Sequence, residues 1–174
     1  MRITGGRLRG RHLPHAVPKG ARPTSARVRE ALFNIVGQNL AGQTVLDGFG
    51  GSGMLALEAA SRGAEVVVIE RNRAAARLIR LAGEHLDANL TVLVGDSTRI
   101  APPGPFDLVL LDPPYAEPLA SVLPPFSDKL RGTLVLEHAY RVEPIEVANL
   151  VLKQTRRYGD TALSFYRPSV GSGR

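Results

Sequence analysis

A chain of 174 residues, 44% hydrophobic and 22% charged, can bury one good core but is too short for two ordinary domains. No apolar run approaches the length of a membrane span, and the arginine-bearing start MRITGGRLRGRH is followed by no apolar stretch, so neither a span nor a signal peptide is expected. The absence of cysteine excludes disulfides and thiolate metal sites, and together these features make a cytoplasmic monomer the expectation.

The formal charge of +6 is concentrated at one end. Residues 1 to 30 hold eight Lys or Arg against one acid, Glu30, while the other 144 residues hold fourteen basic against fifteen acidic groups. Such a segment is suited to a polyanion, because each neutralised phosphate releases counterions and adds affinity. Alternation in RITGGRLRGRHL, with glycines where the chain can turn, predicts a small basic β-hairpin extension over residues 1–22 ahead of a main domain at 23–170 and a short flexible tail at 171–174.

In RPTSARVREALFNIVGQNL, a Thr or Ser N-cap and apolar Val28, Leu32, Ile35 and Val36 predict an amphipathic helix over roughly 25–38. Strands and helices then alternate. Buried strands are predicted at 44–46, 66–69, 91–94, 107–111 and 133–136, with helices at 54–62, 73–86 and 119–130 between them. Gly63 suits the end of the first of these helices, and Asn72 can cap the second. Strand-like runs at 147–155 and 161–167, joined through Gly159-Asp160, predict a closing antiparallel hairpin. The fold class expected is α/β: a mostly parallel seven-stranded sheet with helices on both faces. Ligands of such sheets bind beyond the carboxyl ends of the strands, which directs attention to residues 47–53, 70–72, 95–97, 112–115 and 137–138.

The first of these windows reads DGFGGSG. Gly48, Gly50 and Gly53 fit G-x-G-x-x-G, the pattern of a loop that lets backbone approach a ligand. The acid in front of it changes the ligand. A pyrophosphate beside Asp47 would be repelled by roughly 3 kcal/mol per charge at about 5 Å and an effective dielectric near 20. S-adenosylmethionine has an ammonium and a sulfonium and no phosphate, so the same carboxylate attracts it. Glu70, 23 residues after Asp47 at the end of the next strand, can accept ribose hydroxyls, and Asp96 after the third strand can reach an adenine amino group. No G-x-S-x-G elbow or Walker motif is present, and the histidines show no metal-ligand spacing, so no metal is expected.

After the fourth strand stand Asp112, Pro113, Pro114 and Tyr115. Consecutive prolines give a rigid loop with free carbonyls, so Asp112 and the Pro113 carbonyl form two acceptors at fixed separation. An exocyclic base amine is flat and poorly nucleophilic. Acceptors on its N–H bonds favour the pyramidal form, and the carboxylate stabilises the positive nitrogen formed on methylation. Tyr115 can stack on the base.

The order RITGGRLRGR, RPTSARVREALFNIV, VLDGFGGSGMLALEAASRGA, VVVIERN, DLVLLDPPY and YGDTALSFY resembles the RsmD-type ribosomal RNA methyltransferases over nearly the whole chain. The resemblance implies a Rossmann-like class I methyltransferase fold. It also implies transfer of a methyl group from S-adenosylmethionine to the N2 amine of a guanine in 16S ribosomal RNA, free or within the assembling small subunit. The expected cofactor contacts are Asp47, Gly48, Gly50, Gly51, Ser52, Gly53, Glu70, Arg71, Asp96 and Ser97. Asp112, Pro113, Pro114 and Tyr115 are the expected catalytic residues, and Arg2, Arg7, Arg9, Arg11, Arg22 and Arg27 the expected RNA contacts. Gly48 and Gly50 stand where the family more often has Leu and Ala, and Ala26 where an acid is common. Two other readings remain open from the residues: an N6-adenine methyltransferase, since D-P-P-Y serves any planar amine, and a non-catalytic RNA-binding assembly factor. Methylation at pyrimidine C5 is excluded, because no cysteine is available to attack the ring.

Overall fold

The computed structural model describes residues 1–20, 22–100 and 102–170; the expected tail at 171–174 lies outside them. Seven strands form one sheet: β1 (Thr44–Asp47), β2 (Glu65–Glu70), β3 (Leu90–Val94), β4 (Phe106–Leu111), β5 (Leu130–Ala139), β6 (Leu150–Tyr158) and β7 (Thr161–Pro168). Their spatial order is β3-β2-β1-β4-β5-β7-β6. The first five strands are parallel, and β7 pairs antiparallel with both β5 and β6. The chain steps outward in one direction from β1 to β3 and in the other from β4 to β5. The switch point therefore lies between β1 and β4, where a crevice opens at the strand ends.

The helices are α1 (Ala26–Val36), α2 (Met54–Ser61), α3 (Arg73–His85) and a single turn, α4 (Leu119–Val122). Strand alternation divides the core. Val45, Val66 and Val68 pack beneath Leu32, Phe33, Leu55 and Ile79 of the first three helices, whereas Leu46, Ile69 and Leu111 pack with Leu119, Val122 and Phe126 on the other face. The sheet is thus covered on both sides, as the unbroken apolar runs require.

Three expectations are refined. The helix predicted over 119–130 is broken after α4 into a 3-10 turn, Pro124–Phe126, because Pro124 and Pro125 cannot donate to the preceding turn. The strand expected at 147–155 begins at Leu150 instead and runs to Tyr158. The N-terminal return is closed by a single bridge, Arg2 to His12, with Ile3 N–H donating to Arg11 O at 2.9 Å. Side chains carry the rest of that segment's attachment: Ile3, Leu8 and Leu13 are buried against Met54 and Leu57 of α2 and Leu86 beyond α3.

Candidate active site

A cavity of about 520 Å³ opens at the switch point, lined by the glycine loop, Glu70 to Asn72, Gly95 to Ser97, Asp112 to Tyr115 and Glu137. All the windows singled out by the strand-end rule meet in it. Of the ten expected cofactor residues, Asp47 and Gly53 stand behind the lining and the other eight line it.

Asp47 lies behind the loop, fully buried. Its Oδ1 accepts from Phe49 N–H at 3.2 Å, but Oδ2 is the one buried side-chain oxygen or nitrogen without a partner among the described residues. Burial pushes its carboxyl up from 3.8 to about 7; the Phe49 N–H and, more weakly and outside hydrogen-bond geometry, the Ala56 N–H oppose, and the nearby Glu70 adds to the rise. An unpaired buried carboxylate oxygen is costly to leave unmade, and a cationic group is its natural complement. The donor set thus fits the ammonium of S-adenosylmethionine and does not fit a phosphate.

The loop itself is shaped by close packing. A Cβ on Gly50 would stand 2.7 Å from Val68 Cγ1 and 2.8 Å from Ile79 Cδ1, so only glycine fits without displacing the core. Gly53 has φ of +85° at the entry to α2, a left-handed conformation glycine adopts freely. Glu70 braces the loop: Oε2 accepts from Gly51 N–H at 2.7 Å and Oε1 from Asn72 N–H at 2.9 Å. A carboxylate has about four acceptor positions, so two remain for hydroxyls. Asp96 accepts from the Thr98 N–H and hydroxyl at 2.9 and 2.7 Å, which holds its carboxyl below the usual range and fixes its orientation beside the buried Ser97.

On the opposite wall, Tyr115 is 40% exposed, its hydroxyl 3.1 Å from Thr161 Oγ1 and the Arg22 guanidinium over its ring at 4.7 Å. Asp112 is half-buried and meets two residues given no site role in the sequence. Thr24 Oγ1 stands 3.0 Å from Asp112 Oδ2 and 2.7 Å from Glu137 Oε2. Burial raises both carboxyls, that of Asp112 well above its usual range, where repulsion from Glu137 adds to the rise. Ser25, not Thr24, caps α1, accepting from Val28 N–H at 3.3 Å, which leaves the threonine hydroxyl for the acids.

Of the expected RNA contacts, Arg22 lines this cavity, Arg2 and Arg9 line an adjoining groove, and Arg7, Arg11 and Arg27 are exposed elsewhere. Arg29 has a different fate. It is buried, donates to Glu58 at 3.2 Å, to Thr24 O at 2.7 Å and to Arg2 O at 2.8 Å, and so adds nothing to the surface charge counted at the N-terminus. Glu58 is also bound by Arg62 and by the Thr4 N–H and hydroxyl. Elsewhere on the surface, the Arg157 guanidinium stacks on half-exposed Tyr140 at 3.9 Å, a second pairing of a basic group with an aromatic ring. Contacts between residues this distant in sequence leave no local signal.

Residues 1–167 match the family model described as "Conserved hypothetical protein 95". The chain is 32% identical to the Bacillus subtilis protein named "Putative rRNA methyltransferase YlbH", over 96% of this chain and 98% of that one. It is 39% identical to "Ribosomal RNA small subunit methyltransferase D" of Escherichia coli over 66% of this chain and 60% of that protein. Among solved structures, "Putative methyltransferase yhhF" from Escherichia coli superposes with a TM-score of 0.84 at 33% identity, covering 97% of each chain. With the switch-point cavity, the glycine loop and the D-P-P-Y wall in place, these matches show that the chain has the Rossmann-like class I methyltransferase fold and belongs to the RsmD-type methyltransferase family.

Proposed function

We propose that this protein transfers a methyl group from S-adenosylmethionine to the exocyclic N2 amine of a guanine in 16S ribosomal RNA. The observation that carries the reading is one cavity in which a glycine loop backed by an unpaired buried carboxylate faces Asp112-Pro113-Pro114-Tyr115. Relatives named as small-subunit ribosomal RNA methyltransferases support the choice of RNA, as do the exposed arginines beside the cavity. When bound, S-adenosylmethionine supplies a methyl group whose bond to the sulfonium breaks with the electron pair left on sulfur.

The protein's residues prepare both sides of that transfer. Asp47, from behind the glycine loop, would attract the ammonium of the methionine half, and Glu70 would accept from the ribose. Asp112 and the Pro113 carbonyl would accept the N–H bonds of the target amine, directing its lone pair inward and stabilising the charge that develops on nitrogen. Tyr115 and Arg22 would hold the base once it has left its neighbours.

The decisive experiment incubates the protein with tritiated cofactor and ribosomal RNA from cells lacking this enzyme, then identifies the labelled nucleoside by mass spectrometry. N2-methylguanosine in 16S RNA is the expected product. N6-methyladenosine would transfer the reading to the adenine class, and no incorporation into free RNA or assembled subunits would refute catalysis.

A further inference from the structure

Thr24 is buried between two carboxyl groups, and its hydroxyl has a single proton. It stands 3.0 Å from Asp112 Oδ2 and 2.7 Å from Glu137 Oε2. One hydroxyl cannot donate to two carboxylates in this geometry, so one of the contacts requires a protonated carboxyl donating to Oγ1. The position of Thr24 is itself fixed, because Arg29 donates to its carbonyl at 2.7 Å and is anchored on Glu58. Two other charges reach the acids: Arg22 attracts both, and Asp47 repels Asp112.

We propose that Glu137, acting through Thr24, takes up the shared proton when an amine reaches Asp112, leaving Asp112 ionised and aimed at that amine, and is thereby a positioning residue for methyl transfer. This rests on the reading of Asp112 as the acceptor for a base amine. An incoming amine brings N–H donors to Asp112 and so favours the charge there and the proton on Glu137.

After transfer, the amine nitrogen has used its lone pair for the new N–C bond and carries a positive charge and one proton too many. Asp112 takes that proton, and the electrons of the broken N–H bond return to nitrogen as its lone pair. The two carboxyl groups then hold two protons. One passes to solvent when the product leaves, restoring the starting state.

The test is a pH titration of the free protein by carbon-13 NMR of its labelled Asp and Glu carboxyls. In the wild type, the Asp112 and Glu137 signals should move together in two steps, as coupled groups do. In Glu137→Gln, whose side chain is neutral and can still donate to Thr24, Asp112 should titrate in one step, lower by about 1 to 3 pH units. Thr24→Ser should keep the wild-type pattern, whereas Thr24→Val should raise the Asp112 midpoint by removing its donor. An Asp112 midpoint unmoved by Glu137→Gln, or both wild-type groups ionising independently below about pH 5, would overturn the proposal. Should Glu137→Gln fail to fold, the wild-type curve and the Thr24 pair still decide. In methyl transfer, the acidic limb of kcat should move to lower pH in Glu137→Gln, where a purely structural defect would scale the whole profile down. The titration uses neither cofactor nor RNA. A chain that did not methylate guanine would leave it intact, so the two readings fail separately.

Discussion

Replacing Asp47 by asparagine should stabilise the ligand-free protein increasingly as pH rises, while weakening its hold on cofactor. The Asp47 carboxyl titrates at about 7 in the folded chain against 3.8 ordinarily. Below pH 3.8 it is neutral in both states and has no effect. Above that, the unfolded chain gives up its proton first, so the folded state loses stability steadily until about pH 7, where the loss levels off at about 4 kcal/mol. Between about pH 5 and pH 8 this amounts to about 2.5 kcal/mol. Asparagine keeps the shape and has no charge, so its urea-unfolding free energy should lack that slope. Any constant offset from an imperfectly bonded amide would not mimic it. Subtracting the two curves leaves Asp47 together with its repulsion of Asp112, which acts in the same direction, so the difference keeps its sign. Adding S-adenosylhomocysteine should flatten the wild-type curve, because its ammonium offsets the buried charge, and should bind Asp47→Asn more weakly by calorimetry. Parallel pH curves for the two proteins would refute the argument that burial makes Asp47 await a cation.

Asp112→Ala should abolish methyl transfer in the tritium assay while leaving RNA affinity nearly unchanged in filter binding. Neutralising Arg2, Arg9 and Arg11 together should reduce the slope of log affinity against log salt by about 0.7 for each single-strand phosphate that is no longer neutralised, and an unchanged slope would remove these residues from the RNA surface. Glu58→Ala should destabilise by about 3 to 5 kcal/mol in denaturant unfolding, since it strands two buried guanidinium groups, Arg29 and Arg62.

The parallel half of the fold is legible because its strands are unbroken Val and Leu runs, which only a doubly covered sheet can bury. The loops that build the cavity follow from the same pattern, since strand ends converge at a switch point whatever the helices do. The helix expected at 119–130 fails on a local feature that was visible, Pro124-Pro125, which apolar content outweighed. Thr24 and Glu137 are different. Their contacts span 88 and 113 residues, and in sequence each has an ordinary local explanation, a helix cap for one and a strand-end acid for the other. Only the pairing of β5 beside β4, with α1 capped by Ser25 instead, brings both to Asp112.

The charge asymmetry also acquires a structural meaning that a charge count cannot supply. The basic N-terminal segment reads as a separable arm, but Arg29 binds the Arg2 carbonyl, the Thr24 carbonyl and Glu58 with one guanidinium. Segment, site and α2 are therefore held in one register. A side chain committed to that register is unavailable to the surface, so on the proposed function the arginines left outside would meet RNA from a fixed platform, and an arm fixed to that wall would lose little ordering entropy on binding. Glu58→Gln separates this from simple loss of fold: it keeps the shape and weakens the clamp. It should lower kcat and RNA affinity together, even under conditions where the protein remains folded. A loss of RNA affinity with kcat unchanged would show that the clamp serves binding alone.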